Sequence, residues 1–540
     1  MCVNMKCKFR VIVCIVLSLS VVTGIFGNGG AFFFGECVRA TSTSYYVDNA
    51  ATGSNSGGNW DNAWQSFADI SWAMIQPGDT IYISGGTAGQ TYNEQLKINK
   101  SGTEGNEITI RTGQEAPHNG RVIITNNNGQ TGYLGDGIFV NGRSYITIDG
   151  SLDGNINLII QNCDTNGIDV SGNSHHIAVR YVEVGNNGNE RLENGVLLNY
   201  ASGVENQDLI MELSNSKIHD NRQDQIRITG SRGPNMFGRV QIFNNEVYGL
   251  YDDGIECGVR GVDIYNNHFH TFNRHLASTD HPDGIVTAAG YVRVHHNLLY
   301  DLYSSTPDEF FGNNLYLGLY NNVDASPVEE AYIYYYNNVV IQPVEEPNAL
   351  NVSNKGLELG GHTNITSLSN VVIANNTFIG TPGLGMSLDF GPRNDSTLDD
   401  IKIVNNVVYN CGRVLSIGAV LLENNQYSQF DVGPDDSHKV MFNGNVINSG
   451  SEGNDEIKYQ NVILTYDAFV AQTGTQTMGG NFDPELLPPG YVPADEDSPV
   501  VNAGIGYDIL GTYFQDDYAG TPRPQTGNWD IGAYQYVSGY

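Results

Sequence analysis

Five acidic side chains fall within one short part of a repeating sequence. Asp224, Asp253 and Asp283 each stand two residues before an isoleucine, at spacings of 29 and 30 residues, and Asp252 and Glu256 flank the middle copy. If successive copies lie on successive turns of a stacked structure, about 4.8 Å apart, their carboxylates come close enough to share a cation or to raise one another's pKa. The pattern therefore predicts a metal site, a set of acid and base groups, or both.

Histidine and arginine are concentrated in the same part of this acidic chain. Six of the 12 histidines lie between residues 268 and 296, and seven arginines lie between residues 222 and 293. A uronate lyase needs a partner for the substrate carboxylate, which Arg227 or Arg274 could supply, and a base for the neighbouring proton, which His281 or Lys355 could supply. A glycoside hydrolase would instead use two carboxylates as acid and as base or nucleophile. The residues leave both mechanisms open.

A second recurring frame predicts the elements that position these residues. In residues 240–247, Val-Gln-Ile-Phe-Asn-Asn-Glu-Val, apolar and other residues alternate around Asn245, and the same frame recurs with Asn267, Asn297, Asn338, Asn376, Asn406, Asn425 and Asn445. Period-2 alternation at intervals of this size predicts short strands in stacked β-coils. We expect the asparagines at bends, in left-handed backbone conformations, with amides that bond to the next coil.

Each predicted coil has an inner and an outer face. In the Asp253 copy, Ile255 should point inward and Glu256 outward, with Arg227 at the matching outward position of the preceding turn. Three glycines that precede inward positions predict a shallow track in which an extended polymer could lie: Gly254, Gly284 and Gly356.

These repeats, together with both ends of the chain, resemble the right-handed parallel β-helix proteins of the pectate-lyase-like superfamily. The opening Tyr45-Tyr-Val-Asp-Asn-Ala-Ala-Thr-Gly is similar to their N-terminal cap, and Asp530-Ile-Gly-Ala-Tyr534 is similar to their last segment. The resemblance covers most of the chain and implies an all-β fold, a single-stranded right-handed parallel β-helix with N- and C-terminal caps. The fold hosts both enzymes and binding proteins.

Two coils also resemble functional coils of one polysaccharide lyase family. Residues 251–255, Tyr-Asp-Asp-Gly-Ile, are similar to a stretch that holds calcium there, and residues 355–361, Lys-Gly-Leu-Glu-Leu-Gly-Gly, are similar to the coil with the catalytic lysine. Glu358 stands where the resemblance would place that lysine, and Lys355 lies three residues earlier. Residues 280–283, Asp-His-Pro-Asp, resemble the catalytic motif of alginate epimerases in a different order.

The chain divides into four predicted segments within one solenoid. Basic residues followed by an apolar run shorter than a membrane span predict a cleaved secretory signal in residues 1–40. Residues 41–150 should form the N-terminal cap, with a short helix near 65–74, and the first coils. Residues 151–450 should form the coils that carry the site, and residues 451–540 the last coils and a cap. We therefore expect a secreted protein.

Composition limits the partners. The net charge of −33 disfavours nucleic acid and anionic membranes. It suits carboxylate binding of Ca²⁺, although acidity that only maintains solubility explains the charge equally well. Cys163, Cys257 and Cys411 remain after the signal segment; they are far apart and odd in number, so no disulfide framework is predicted. We expect a monomer.

The sequence hypothesis is a secreted enzyme acting on extracellular polysaccharide, leaning to a Ca²⁺-assisted lyase for uronate-containing glycan. Glycoside hydrolysis and non-catalytic glycan binding or adhesion are the alternatives. The predicted roles are catalytic for Asp253, Asp283, His281, Glu256 and Lys355; substrate-binding for Arg227, Arg274, His275, Tyr316 and Glu358; and metal-binding for Asp224, Asp252, Asp253 and Asp283.

Overall fold

The fold was obtained as a computed structural model of the chain. It describes residues 42–189, 193–200, 211–230, 236–271, 283–300, 315–319, 328–342, 355–359, 365–381, 383–389, 398–412, 419–423, 431–449 and 456–537. The predicted signal segment, Arg274, His275 and His281 lie outside these ranges. For residues 200, 315–319, 328–331, 365–366 and 423 only the backbone is described.

Three long sheets run through the described chain and take their strands in sequence order, except for the last two strands of sheet 1. Sheet 1 has 14 strands: Ser44–Val47, Thr80–Ile83, Ile108–Thr112, Ser144–Asp149, His175–Arg180, Met211–Ser214, Val240–Phe243, Val262–Tyr265, Val292–His295, Val328–Tyr336, Ile365–Ala374, Leu398–Val404, Val440–Asn443 and Val432–Gly433. Sheet 2 has 12: Gln90–Asn93, Val122–Asn126, Leu158–Cys163, Val182–Gly185, Lys217–His219, Glu246–Tyr248, His268–His270, Leu298–Tyr300, Val339–Ile341, Thr377–Ile379, Val407–Tyr409 and Val446–Asn448.

Sheet 3 completes each turn and has 13 strands: Leu96–Ile98, Ile138–Asn141, Ile168–Ser171, Val196–Tyr200, Ile226–Gly230, Ile255–Cys257, Ile285–Thr287, Leu315–Leu319, Lys355–Leu359, Leu384–Asp389, Val420–Glu423, Ile457–Tyr459 and Val462–Leu464. Only its last pair is antiparallel among the described pairings of the three sheets. Two short hairpins, Ser151–Leu152 with Asn155–Ile156 and Leu486–Leu487 with Val492–Pro493, lie outside them. The fold is a parallel β-helix, as predicted.

Strand alternation builds the core. Val240 and Ile242 are fully buried while Gln241 and Phe243 between and after them are half-buried, and the same pattern stacks inward residues of all three sheets into one apolar column. Each turn leaves its apolar face unpaired unless the next turn covers it, so the repeat stabilises itself by stacking. Cys257 is one of these core residues, and Cys163, Cys257 and Cys411 are buried free thiols.

An asparagine ladder marks the bend between sheets 1 and 2. The Asn245 amide donates to Asn267 Oδ1 at 3.0 Å, and the same bond links each rung to the next through Asn297, Asn338, Asn376, Asn406 and Asn445. The predicted amide contacts between coils are therefore confirmed. The left-handed residue, however, is the one before each rung, such as Asn244 (φ 56°) or Asn266 (φ 55°). Each rung amide also donates to a backbone carbonyl, as Asn267 does to Ile242 O at 2.8 Å.

The assignment of Asn425 to this ladder was wrong. Asn406 bonds directly to Asn445 Oδ1 at 3.0 Å, and the strand Leu398–Val404 pairs directly with Val440–Asn443. One turn therefore separates Asn406 from Asn445, and no rung stands between them. Asn425 itself lies outside the described residues.

The N-terminal cap contains two single-turn 3₁₀ helices, and the second of them lies within the range of the short helix predicted near 65–74. They span Trp60–Asn62 and Phe67–Asp69, and a third 3₁₀ turn spans Gly132–Leu134. Ser66 Oγ accepts from Asp69 N at 3.2 Å, which closes the turn after three residues. Phe67 then stacks on Tyr92 at 4.8 Å and ties the cap to the first coil.

The C-terminal segment does more than close the stack. The α-helix Tyr466–Thr473 packs Phe469 against Phe442 and Tyr459, at ring distances of 5.7 and 5.4 Å, and covers the last coil. Residues beyond it, including the short helix Tyr507–Leu510, run back along the outside of the bend between sheets 1 and 2.

Side chains of the left-handed bend residues hold this returning segment. Asn375 donates to Asp530 O and Asn405 donates to Ile505 O, at 2.9 and 2.7 Å. Arg523 is 3% exposed and donates to Asn337 Oδ1 at 3.0 Å. No described helix is long and apolar enough to cross a membrane.

Candidate functional site

A column of polar residues stands at the bend before sheet 3. Six turns in succession place one there, two residues before the first buried strand residue: Asp136, Asn166, Asn194, Asp224, Asp253 and Asp283. Backbone bonds hold neighbouring turns in register, as where Gln225 N donates to Asp253 O at 2.9 Å and Gly254 N donates to Asp283 O at 2.8 Å. The predicted vertical alignment of the three aspartates is present.

The same side chains also act as rungs. Asn194 N donates to Asn166 Oδ1 at 2.8 Å, Asp253 N to Asp224 Oδ1 at 3.3 Å and Asp283 N to Asp253 Oδ1 at 3.3 Å. One oxygen of Asp224 and one of Asp253 therefore accept a backbone hydrogen from the next turn. The column is first a structural ladder, in which carboxylates replace the asparagine amides of earlier turns.

Asp224, Asp253 and Glu256 form a tight carboxylate triad. One ligand atom from each lies within 4.8 Å of the other two. Arg227 binds two members through a single nitrogen, with Nη1 2.9 Å from Asp224 Oδ2 and 2.7 Å from Glu256 Oε2. Strand register explains the contact, because Arg227 and Glu256 are paired outward positions on adjacent turns.

Burial and neighbouring negative charges disfavour the ionised forms of two triad members. Burial, then the charge of Glu256, raises the pKa of Asp224 well above its usual value against the opposing effect of Arg227. Burial, then the charges of Asp283 and Asp224, raises the pKa of Asp253 in the same direction. Protonation or a bound cation relieves such repulsion. The triad could hold a metal ion, and its oxygen ligands are those that Ca²⁺ prefers.

Exposure within the site differs from residue to residue. Asp224, Asp253 and Asp283 are 1%, 5% and 2% exposed, and Asp252 is 9% exposed. The side chains of Arg227 and Glu256 are 27% and 28% exposed. Surface access to the triad therefore runs through Glu256 and Arg227, whereas the column behind them is covered. Asp252 contributes its charge to both raised pKa values but is not a member of the triad.

Lys355 and Glu358 belong to the same sheet but stand away from the triad. Lys355 Nζ lies 2.6 Å from Glu358 Oε1, as an ion pair within one strand. Lys355 aligns with Leu315, and that strand pairs Leu317 with Ile285, so Lys355 occupies the aspartate column two turns beyond Asp283. At about 4.8 Å per turn it is roughly 10 Å from Asp283 and roughly 14 Å from Asp253. Lys355 is therefore paired with Glu358 on a different turn of sheet 3 from the triad.

The remaining predicted residues are only partly visible. Tyr316 lies in the strand Leu315–Leu319, whose side chains are outside the described set, and Arg274, His275 and His281 are outside it entirely. Four other histidines of the cluster lie on sheets 1 and 2 or on the bend between them: His268, His270, His295 and His296. The histidine cluster is therefore not one constellation on sheet 3.

The predicted glycine track is wrong. A Cβ on Gly254 would lie 2.5 Å from Gly284 O and 3.1 Å from the ring of Phe269, and one on Gly356 would lie 2.7 Å from the ring of Phe378. These glycines face the core at the bend, where the backbone of the next turn and a buried phenylalanine leave no space for a side chain. The strand alternation that predicted an outward position does not continue through the bend.

A second carboxyl pair was missed. Asp136 and Asp169 hold the same register positions, on adjacent turns, as Asp224 and Glu256. Burial, and then the charge of Asp169, raises the pKa of Asp136 to about 7, and burial raises that of Asp169 to about 6. Residues 136–138, Asp-Gly-Ile, repeat the frame that identified the other aspartates, so the signal was present in the sequence.

Two described cavities lie away from the triad. An open groove of about 560 Å³ crosses sheet 2 beside its bend with sheet 1, and its lining includes Arg121, Glu183, Lys217 and Glu246. Lys217 Nζ is 2.6 Å from Glu246 Oε2, so its charges are largely paired internally. The triad is identified by its chemistry and not by the size of a cavity.

No protein-family model and no curated protein sequence matches the chain. Among solved structures, the pectate lyase Pel9A is 14% identical, with 92% of this chain and 97% of that chain covered at a TM-score of 0.44. XylC in complex with xylose is 11% identical, with 92% and 98% covered at 0.46, and an alginate lyase from Paenibacillus sp. is 14% identical, with 61% and 93% covered at 0.35. The chain is thus similar in structure to pectate lyase and other β-helix carbohydrate enzymes, a likeness of fold.

Proposed function

We propose that the protein is an exported enzyme that cleaves uronate-containing polysaccharide by β-elimination, with Ca²⁺ held by Asp224, Asp253 and Glu256. The observation that supports this most is the triad itself, in which one oxygen from each residue lies within 4.8 Å of the other two, beside an outward-facing guanidinium. A bound Ca²⁺ would neutralise a uronate carboxylate and make the proton on the adjacent carbon easier to remove.

Arg227 is a cation of the chain that contacts the triad. It now binds Asp224 and Glu256, the same carboxylates that a divalent cation would take. Occupation of the triad would release the guanidinium toward the surface, where its planar fork can bind a uronate carboxylate through two parallel hydrogen bonds. Arg227 would then fix the sugar that loses the proton.

The base is proposed to be His281. Two peptide units separate it from Asp283, which limits the Cα separation to about 7 Å. Lys355 is roughly 10 Å from Asp283 by turn spacing and is already paired with Glu358. In the elimination, the base takes the proton from the carbon beside the carboxylate, that electron pair forms the new double bond, and the glycosidic oxygen leaves and takes a proton.

Glycoside hydrolysis is the second candidate because of one feature of the triad. Two carboxyl groups separated by about 5 Å are suited to a retaining mechanism. A carboxyl group whose pKa is raised by burial, as that of Asp253 is, can stay protonated and act as the general acid. This reading needs neither His281 nor a metal.

A panel of polysaccharides, read in parallel for unsaturated uronate by ultraviolet absorbance and for new reducing ends, separates the candidates. Elimination predicts both signals on a uronate polymer, and prior treatment with a chelator should abolish them. Reducing ends without the absorbance would select hydrolysis, and retention of polymer without either signal would select a binding protein.

Variants test the residues. Glu256→Gln and Asp253→Asn should lower activity at least a hundredfold and weaken Ca²⁺ binding measured by calorimetry. Glu212→Gln is the matched control, a half-buried carboxylate on the outer face of sheet 1 that binds Ser214 Oγ at 2.6 Å. Full activity in Glu256→Gln would refute the assignment of the site.

A further inference from the structure

An aromatic pocket opens on the first two strands of sheet 1. It has a volume of about 270 Å³ and is lined by Ser44, Tyr46, Trp60, Tyr82, Gln114 and Glu115. We propose that this pocket binds a neutral saccharide and anchors a glycan chain away from the triad. This site does not depend on the function proposed for sheet 3.

Three rings form the apolar part of the pocket. Tyr46 and Tyr82 are paired outward positions of adjacent strands, with ring centroids 5.9 Å apart and planes at 22°. Trp60 packs its edge against Tyr46 at 4.6 Å, and its own face stacks on His118 at 4.0 Å. All three pocket rings are half-buried, so each is held in place while part of it reaches solvent. Rings held in this way can pack on the apolar face of a pyranose.

Polar atoms at the edge suit sugar hydroxyls. Gln114 donates its amide hydrogens to Thr112 O and Ser151 O, at 2.9 and 3.0 Å, which fixes the side chain and leaves Oε1 as its acceptor. Ser44 and Glu115 are exposed and add a hydroxyl and a carboxylate. A small number of fixed polar groups beside apolar rings is the usual composition of a small-molecule site.

The charge of the pocket lining favours a neutral sugar over an acidic one. Among the six lining residues, all in the described part of the chain, Glu115 is the one charged group, and no lysine or arginine lines the pocket. A uronate would place its carboxylate near another negative charge, in a chain whose net charge is −33. A neutral hexose or pentose meets no such repulsion.

The pocket differs from the aromatic ladder further along the same row of sheet 1. There Phe243, Tyr265, His295 and Tyr336 stack at 4.6 to 5.1 Å with planes within 4° of parallel, and Phe514 of the C-terminal segment covers the end at 4.4 Å. That ladder is closed by its own contacts. The wider and tilted pair at the N-terminal end leaves the cavity open.

Position along the helix suits an anchoring role. The pocket lies on the first turns of sheet 1, and the triad lies on the fifth and sixth strands of sheet 3. Five turns at about 4.8 Å separate them by roughly 24 Å along the stack. A polymer held in the pocket would therefore leave the triad free.

Native gel electrophoresis in the presence of soluble arabinoxylan, galactomannan, mixed-linkage glucan or polygalacturonate tests the proposal. At least one of the three neutral polymers should retard the purified protein, and Tyr82→Ala should weaken that retardation at least tenfold. Ser44→Trp should do the same by filling the pocket, since Ser44 is exposed and its replacement removes no core contact.

Tyr133→Ala is the matched control, a tyrosine that is 55% exposed and stacks on Phe139 at 5.2 Å outside the pocket. It should keep the retardation, and any effect of polygalacturonate should be unchanged in Ser44→Trp. The proposal is overturned if no neutral polymer retards the protein, or if Ser44→Trp, with an unchanged melting temperature, retains full retardation. Activity assays do not enter the test, so its failure is distinct from failure of the function proposed for sheet 3.

Discussion

The asparagine ladder allows a sharp test because adjacent residues of the same type have opposite roles. Asn267 is 1% exposed, and its side chain takes part in four hydrogen bonds. Its amide donates to Ile242 O and to Asn297 Oδ1, and its Oδ1 accepts from both the backbone and the side chain of Asn245. Asn266 is exposed and holds the left-handed conformation, with φ 55°.

The magnitude follows from those four bonds. Asn267→Ala removes all of them and leaves buried donors on Asn245 and buried acceptors on Ile242 and Asn297. A net loss of about 1 kcal/mol per bond, with about 1–3 kcal/mol more for a buried polar group left without a partner, gives a destabilisation of roughly 5–7 kcal/mol. Asn266→Gly keeps a residue that tolerates positive φ and should change stability by less than about 1 kcal/mol.

Equilibrium unfolding in guanidinium chloride, followed by circular dichroism and by tryptophan fluorescence, measures both variants. If refolding is incomplete, unfolding rates at a fixed denaturant concentration replace the midpoints. The reasoning is refuted if Asn267→Ala costs less than about 1 kcal/mol, or if the two variants are destabilised equally, because burial and hydrogen bonding would then not distinguish them.

Three further outcomes are expected. Asp253→Asn keeps the oxygen that accepts from the next turn but removes the charge, so it should lose Ca²⁺ binding in calorimetry while its melting temperature stays level or rises. Burial lowers the pKa of His219, but hydrogen bonds to Asp220 and Glu183 outweigh it and raise that pKa to about 9. NMR titration of the ring should show this midpoint. The difference in unfolding free energy between the parent protein and His219→Gln should be full below about pH 6 and lost as pH rises through 9. Burial and the charge of Asp169 raise the pKa of Asp136 to about 7, so the stabilisation that its protonated carboxyl gives the folded protein is present below about pH 4 and lost as pH rises to 7. Asp136→Asn should therefore be more stable than the parent protein in denaturant melts at pH 8, and equally stable at pH 4.

Strand periodicity predicted most of the fold, because inward positions of a stacked coil must be apolar on every turn. Asn425 shows where this reasoning fails. Its local residues fit the frame, but a rung exists only where flanking strands pair with neighbours on both sides, and Asn406 pairs directly with Asn445 instead. The residues next to Asn425 do not reveal which strands pair.

The sequence predicted how the site residues align along the stack but not how deeply the aspartates are buried. Register followed from the repeat, so Asp224, Asp253 and Glu256 were expected together. Burial of the aspartates depends on how tightly side chains at a bend fit between turns, which period-2 alternation does not describe. The same limit explains Gly254, which was read as an open outer position but faces Phe269 in the core.

The hydrogen-bonded column at the bend before sheet 3 and the carboxylate triad use the same backbone positions with different side-chain chemistry. At the bend before sheet 3, an asparagine and an aspartate can each present an oxygen to the backbone N–H of the next turn, as Asn166 does for Asn194 and Asp224 does for Asp253. Replacing the amide by a carboxylate keeps that contact and adds a buried negative charge. Two successive aspartates with Glu256 beside them therefore place three carboxyl groups within reach of one cation, and this concentration of acidic oxygens at a structural position is the physical basis for proposing a metal there.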